Sequence, residues 1–197
     1  MRKLTLFIFM IIGFTSFAQV DLSVYGGYQF GSKTYGYNGT VRLKGAANYG
    51  AMLEFGAAPD LMIQIQWMGS ATQLTLEGPI YDYARTDVNV NYYQIGIIRP
   101  FPVNEKVEAF GNFTLGATQF AMQDQLYNDE WRFSITAGLG AKIWLTDKVG
   151  LRVQARLLAP INWGGLYFGT GGSGANVGST FFSGDVSGGL VFRLKDM

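Results

Sequence analysis

Trp131-Arg132-Phe133-Ser134-Ile135-Thr136-Ala137-Gly138-Leu139-Gly140-Ala141-Lys142-Ile143-Trp144-Leu145 decides how the chain is read. Trp131, Phe133, Ile135, Ala137, Leu139, Ala141, Ile143 and Leu145 are all uncharged, whereas the positions between them include Arg132, Ser134, Thr136 and Lys142. Strict alternation is the period of a β-strand, whose successive side chains leave on opposite faces. The run is longer than the roughly 5–6 residues of an average soluble strand. It also exceeds the about 9–11 tilted residues with which a strand crosses a bilayer.

The same period recurs on both sides of this run. Val149, Leu151, Val153, Ala155 and Leu157 alternate with Arg152, Gln154 and Arg156, and Phe182, Val186, Leu190, Phe192 and Leu194 with Ser183, Asp185, Ser187 and Arg193. Upstream, Val107, Ala109, Phe113 and Leu115 interleave with Glu108, Asn112 and Thr114, and Tyr93, Ile95 and Ile97 with Gln94 and Gly96. Leu61, Ile63, Ile65 and Trp67 alternate with Gln64 and Gln66. Tyr49, Ala51, Leu53 and Phe55 flank Glu54, and Val20, Leu22, Val24, Gly26, Tyr28 and Phe30 interleave with Asp21, Ser23 and Gln29. Eight strands are expected.

Their connections alternate in length. Gly56 to Asp60, Pro100 to Lys106 and Thr146 to Lys148 are short; Gly31 to Asn48, Ala71 to Asp87, Ala121 to Glu130 and Ala159 to Ser179 are long. Short turns at one end and long loops at the other match an outer-membrane barrel. The uncharged face carries no charge except Arg99 at one strand end. Asp21, Glu54, Glu108, Arg132, Lys142, Arg152, Arg156, Asp185 and Arg193 share the other face. Tyr28, Phe30, Tyr49, Trp67, Tyr93, Trp131, Phe133 and Phe182 gather at the long-loop ends, with Phe55, Phe101 and Phe192 near the short turns. Two aromatic girdles around an aliphatic band belong to a sheet anchored at both interfaces of a membrane. An open edge in hydrocarbon would cost several kcal/mol per unpaired backbone group, so the sheet must close. The expected fold is all-β: an eight-stranded antiparallel up-and-down transmembrane β-barrel, with the long loops facing out of the cell.

Composition agrees. Charged residues are 15% of the chain, against about a quarter in soluble domains. Residues 1–18 read as a cleaved signal peptide: Arg2 and Lys3, the apolar stretch Leu4 to Phe14, then Ser16-Phe17-Ala18 before Gln19. Residues 19–197 then form the barrel domain. The leader takes two of the 15 basic residues, leaving 13 against 14 acidic ones, a balance of −1. This offers nothing to nucleic acid. With no cysteine and no histidine, a disulfide framework and a Ser-His mechanism are excluded and a zinc site is disfavoured, and no cofactor or metal is expected. The run Gly169 to Asn176 lacks the Lys-Ser/Thr ending of a phosphate loop and the aspartates of a calcium repeat, and reads as a flexible external loop. Tyr35, Tyr37, Tyr81, Tyr83, Trp163, Tyr167 and Phe168 would form a loop patch or pack over the barrel mouth.

An eight-stranded barrel is just wide enough for its own side chains. Isolated charges there would be prohibitively costly, so they must pair. The expected interior network joins Glu54, Glu108 and Asp185 to Arg132, Lys142, Arg152, Arg156 and Arg193, with Gly138 and Gly140 making room for arginine side chains. A catalytic carboxylate pair such as Glu54 with Asp185 is the sharper but less favoured reading.

Val24-Tyr25-Gly26-Gly27-Tyr28, Trp131 to Ser134 with Gly138 to Lys142, and Gly150 to Arg156 resemble segments of the small outer-membrane β-barrels, the group of outer membrane protein A's transmembrane domain and outer membrane protein X. The last strand resembles the signal read by the barrel-assembly machinery, through Ser187, Gly189, Phe192 and Leu194, with Arg193 to Met197 following the aromatic. The resemblance implies a monomer in the bacterial outer membrane, in contact with its lipid and inserted by that machinery. The resemblance points to no single activity, because the family includes adhesins, structural proteins and a few enzymes. The lipid-modifying barrel enzymes nearest in kind use a histidine, which this chain lacks, so a structural or surface-interaction role and no enzymatic one is expected. The alternative is a narrow conduit for small apolar molecules, like outer membrane protein W; a soluble lipocalin-like carrier would need the opposite facing.

Overall fold

Strand pairing runs around the molecule and closes on itself. In the computed structural model, residues 19–36, 39–77, 84–123, 129–169, 172–178 and 182–195 are described; residues 1–18, which the sequence reads as a leader, and parts of the external loops lie outside them. The strands are β1 (Val20–Gln29), β2 (Ser32–Gly36), β3 (Gly39–Leu43), β4 (Ala46–Ala58), β5 (Leu61–Glu77), β6 (Ala84–Pro102), β7 (Val107–Met122), β8 (Glu130–Trp144), β9 (Val149–Gly169), β10 (Gly172–Gly178) and β11 (Ser183–Lys195). Eight of them form the barrel, in the order β1-β4-β5-β6-β7-β8-β9-β11, and β11 returns to pair with β1. Every ladder is antiparallel, so no backbone edge is left to the hydrocarbon.

Facing follows the alternation. Leu139 is 69% exposed and Leu157 65%, while Lys142 between Ala141 and Ile143 has no exposed surface. Tyr93, Ile95 and Ile97 all face outward. Arg99 does so too, at the end of β6, where it pairs with Asp60 across the short-turn rim at 2.9 Å. At the other interface the girdle is knitted by ring contacts: Tyr28 with Phe30, Tyr49 with Trp67, and Tyr93 with Trp131. The short-turn girdle is thinner than the sequence implies, because Phe101 is exposed but Phe55 is buried.

The short turns are locally built. Asn104 Oδ1 accepts from the backbone N–H of Lys106 and Val107, and Thr146 Oγ1 from those of Lys148 and Val149. Such side-chain caps favour Asn and Thr in turns.

The long connections differ from expectation. β5 and β6 stay paired to Leu76↔Ala84, through most of the segment 71–87 read as a loop. β2 and β3 form a hairpin added to β5. Residues 172–178, which overlap the glycine-rich stretch 169–176 expected to be flexible, form β10 against β9. The reason lies in the solvent. Beyond the bilayer the outward face becomes polar (Gln73, Thr75, Asp87, Asn89) and the inward face apolar (Leu74, Val88, Val90). Period-two contrast survives there with its sign reversed, and a rule seeking outward apolar residues stops too soon. The side chains of Tyr35, Tyr37, Tyr81, Tyr83, Trp163, Tyr167 and Phe168 lie outside the described residues.

Candidate functional site

The inward positions of the eight strands form one stack of layers along the barrel axis. At the short-turn end Met62, Ile98 and Phe110 make an apolar floor. On it stands the first charge cluster. Asp21 and Glu54 are directly opposed on β1 and β4, an arrangement of like charges that is destabilising by itself. Lys142 resolves it: its Nζ is 2.9 Å from Asp21 Oδ2, 2.6 Å from Glu54 Oε2 and 3.5 Å from Glu108 Oε1. Arg152 donates to the other oxygen of Glu54, donates through Nε to Gln154 at 3.0 Å, and lies over the Phe110 ring at 4.3 Å. Arg193 Nε is 3.4 Å from Asp21 Oδ1, and its guanidinium lies over Trp144. Three carboxylates thus meet three cations.

Amides and hydroxyls fill the middle. Gln64 donates to Gln66, Gln66 to Gln94, and Gln94 to Ser134 at 3.0 Å; Thr114 donates to Gln94. Above them Arg156 Nε donates to Asp185 at 2.6 Å, and its Nη1 to the Tyr25 hydroxyl at 3.0 Å. Asn48 donates to the second Asp185 oxygen. Then the character changes. Met52, Met68, Val88, Val90, Tyr92, Phe120 and Leu158 form an apolar layer toward the outside, with Leu43 from β3 above it.

Glu54, Glu108, Lys142, Arg152 and Arg193 of the sequence-derived network are therefore brought together, and Asp185 and Arg156 form a second pair. Arg132 is placed elsewhere, at the external end of β8. There its Nη2 is 2.8 Å from Glu130 Oε2 and its guanidinium covers Phe120. It comes two residues after Glu130, which opens β8, so a local partner is within reach and the deeper carboxylates are not. Glu54 and Asp185 cannot act as a catalytic pair. They oppose Asp21 and Gln29, at the two ends of β1, on the order of 25 Å apart along a strand.

Sequence reasoning left out Asp21 and Asn48 as partners, and the apolar layers entirely. The even-numbered run Val88, Val90, Tyr92 and Ile98 was the available signal; read as a second phase of β6, it would have placed apolar side chains inside. Of the assembly-signal positions, Ser187 points inward and accepts from Gln154 at 3.1 Å. Gly189 pairs with Tyr25 of β1, and a Cβ there would fall 2.0 Å from Val24 O. Leu194 is 60% exposed.

Gly138 has a definite task. A Cβ on it would fall 2.5 Å from Asn112 Oδ1 and 2.7 Å from Arg156 Cγ, so the missing side chain is the space the arginine occupies. Gly140 likewise makes room, for the Phe110 ring and Gln154. Gly138→Leu is expected to destabilise the barrel by about 1–3 kcal/mol through overpacking. Outward Gly111, where an added Cβ would meet nothing closer than 3.9 Å, should accept alanine. Urea midpoints of the two variants in vesicles check this, and equal midpoints would refute it.

Glu54, Gln64, Thr114, Ser134, Thr136 and Lys142 all have zero exposed area, so a water-sized sphere touches none of them. The barrel is filled by its own side chains. Among solved structures the chain is similar to outer membrane protein OprG from Pseudomonas aeruginosa, with a TM-score of 0.62 and 10% identity over 91% of this chain and 97% of that one. Neisserial surface protein A gives 0.58 and 12%, over 87% and 96%. The N-terminal β-barrel domain of Pseudomonas aeruginosa OprF gives 0.50 and 10%, over 88% and 97%. No protein-family model and no curated protein matches the sequence. At these identities the likeness establishes the fold: a small eight-stranded barrel of the bacterial outer-membrane type.

Proposed function

We propose that this outer-membrane-type barrel is a non-enzymatic, non-conducting envelope protein that stabilises the membrane it crosses and offers its external strands to surface partners. The observation carrying this reading is the sealed interior. Four buried or half-buried carboxylates face four cations across the inner layers, and apolar layers lie at both ends of the stack. Among the described residues each inward carboxylate there meets a cation and helps to hold the barrel closed. The hydroxyls of Ser23, Thr118 and Thr136, which have no hydrogen-bond partner, are fully covered and out of a substrate's reach. Leader-directed export, insertion by the assembly machinery through Ser187, Gly189, Phe192 and Leu194 of β11, and action as a monomer belong to the same proposal. The exposed side chain of Leu194 supports the last strand being readable from outside.

One observation favours the second reading, a narrow conduit for small apolar molecules: the external part of the interior is apolar. It is less well supported, because Val88 and Val90 are fully covered and Tyr92 nearly so. Planar-bilayer recording of the purified protein is expected to give no steady conductance. Stable open channels would defeat the sealed-interior proposal, and entry of a fluorescent apolar probe between Val90 and Phe120 would favour the conduit.

A further inference from the structure

We infer that the outward face of β3, β5 and β6, just outside the membrane, binds a phosphorylated, acylated glycolipid of the external leaflet. The inference rests on the membrane-spanning reading and names a partner for that surface.

Three features are stacked on this one flank. In the hydrocarbon zone an apolar groove of about 490 Å³ runs between Leu53, Ile65, Trp67, Tyr93, Ile95 and Leu115. It is floored by Ala51 and Gly116, whose small size lets the wall dip. Above the girdle a polar niche of about 410 Å³ opens where β3 breaks from β4, lined by Lys44, Gln73, Asp87 and Gln123. The Tyr28 hydroxyl lies against Gly45, so the niche begins at the top of the aromatic belt.

Above the niche comes a row of cations. Lys33 pairs with Arg42, Arg42 with Thr75, and Thr75 with Arg85. Directly opposed residues share a face, and Lys33, Arg42 and Arg85 are exposed. Lys44 follows Arg42 on the same phase and is exposed too. Strands lie about 4.8 Å apart, so Arg42 and Arg85 flank Thr75 closely enough for both guanidinium groups to reach one phosphate. Among the described side chains the carboxylate of this flank is Asp87, inside the niche and suited to sugar hydroxyls. Across the barrel, the external end of β8 carries Asp129 and Glu130 instead. Apolar groove, hydroxyl-binding niche and cation row follow the order of acyl chain, sugar and phosphate in a phosphorylated glycolipid.

The test uses the full mature chain in phosphatidylcholine vesicles doped with bisphosphorylated lipid A, with native mass spectrometry reading the lipid retained per barrel. Retention is expected for that lipid, and not for the same lipid stripped of its phosphates or for phosphatidylglycerol. The variant Arg42→Gln/Lys44→Gln/Arg85→Gln should bind about a hundredfold more weakly, each cation near an anionic surface contributing roughly fivefold. Arg85→Gln alone should lose about fivefold and serves if the triple variant folds poorly. Unchanged retention by either folded variant would overturn the inference. So would equal retention of the dephosphorylated lipid or of phosphatidylglycerol, or release of the lipid by millimolar inorganic phosphate, which would make the row a simple anion site. A chain that inserts but retains no lipid A sinks this inference alone; one that never inserts sinks the membrane-spanning reading with it.

Discussion

Leu139→Arg should leave only a small fraction of the chain in the folded, membrane-inserted form. Leu139 stands near the middle of β8, paired with Gly111 on one side and Ala155 on the other, with 69% of its surface turned outward. If that surface meets acyl chains, a cation there costs about 2–4 kcal/mol at the bilayer midplane. The matching control is Gln119→Arg, on the same outward phase but toward the external end of β7, where the cost falls to about 0–1 kcal/mol. Folding into vesicles, followed by the mobility shift between boiled and unboiled samples, separates the two. Equal yields of both variants would mean that the outward face is not the lipid face, and the membrane assignment would fail.

Glu54→Gln carries the other large effect. The carboxylate is fully buried and engages Lys142 through one oxygen and Arg152 through the other. Neutralising it leaves Arg152 without a carboxylate and Lys142 to Asp21 and the more distant Glu108. Breaking a buried ion pair from one side costs about 3–5 kcal/mol, because the surviving charge stays desolvated. Removing both partners is different in kind. In Glu54→Leu/Arg152→Leu no uncompensated charge remains and much of the loss should return, since apolar replacement of a whole buried pair is often neutral. Urea unfolding midpoints of parent, single and double variants decide it. A single variant within about 1 kcal/mol of the parent would mean that water reaches the cluster, and the sealed interior would have to be abandoned.

How far the sequence could be read depended on which side of a strand faced which medium. Within the bilayer the contrast between Leu139 and Lys142 is as large as side-chain chemistry allows, so facing, strand number and the charged lining were all legible. Outside it the outward residues Gln73 and Asp87 meet water, the inward Leu74 and Val88 meet each other, and the pattern reverses. The segment 71–87 therefore read as a loop although its backbone remains paired. β6 crosses both regimes, with Tyr92 inward and Tyr93 outward, which blurred its phase. Arg132 was assigned to the network because facing alone carries no depth.

The alternation by itself determined that this chain makes a closed eight-stranded barrel with apolar residues toward lipid and ionised ones toward the axis. A strand's period is local, and hydrocarbon tolerates no open edge. Which acid meets which base was settled only by tertiary structure. Strand tilt and register decide the level at which each inward side chain arrives, so Lys142 reaches Asp21, Glu54 and Glu108 from a distant part of the chain. The cation row Lys33, Arg42 and Arg85 has the same origin: three separated residues become neighbours only because β2, β3, β5 and β6 pair in one register.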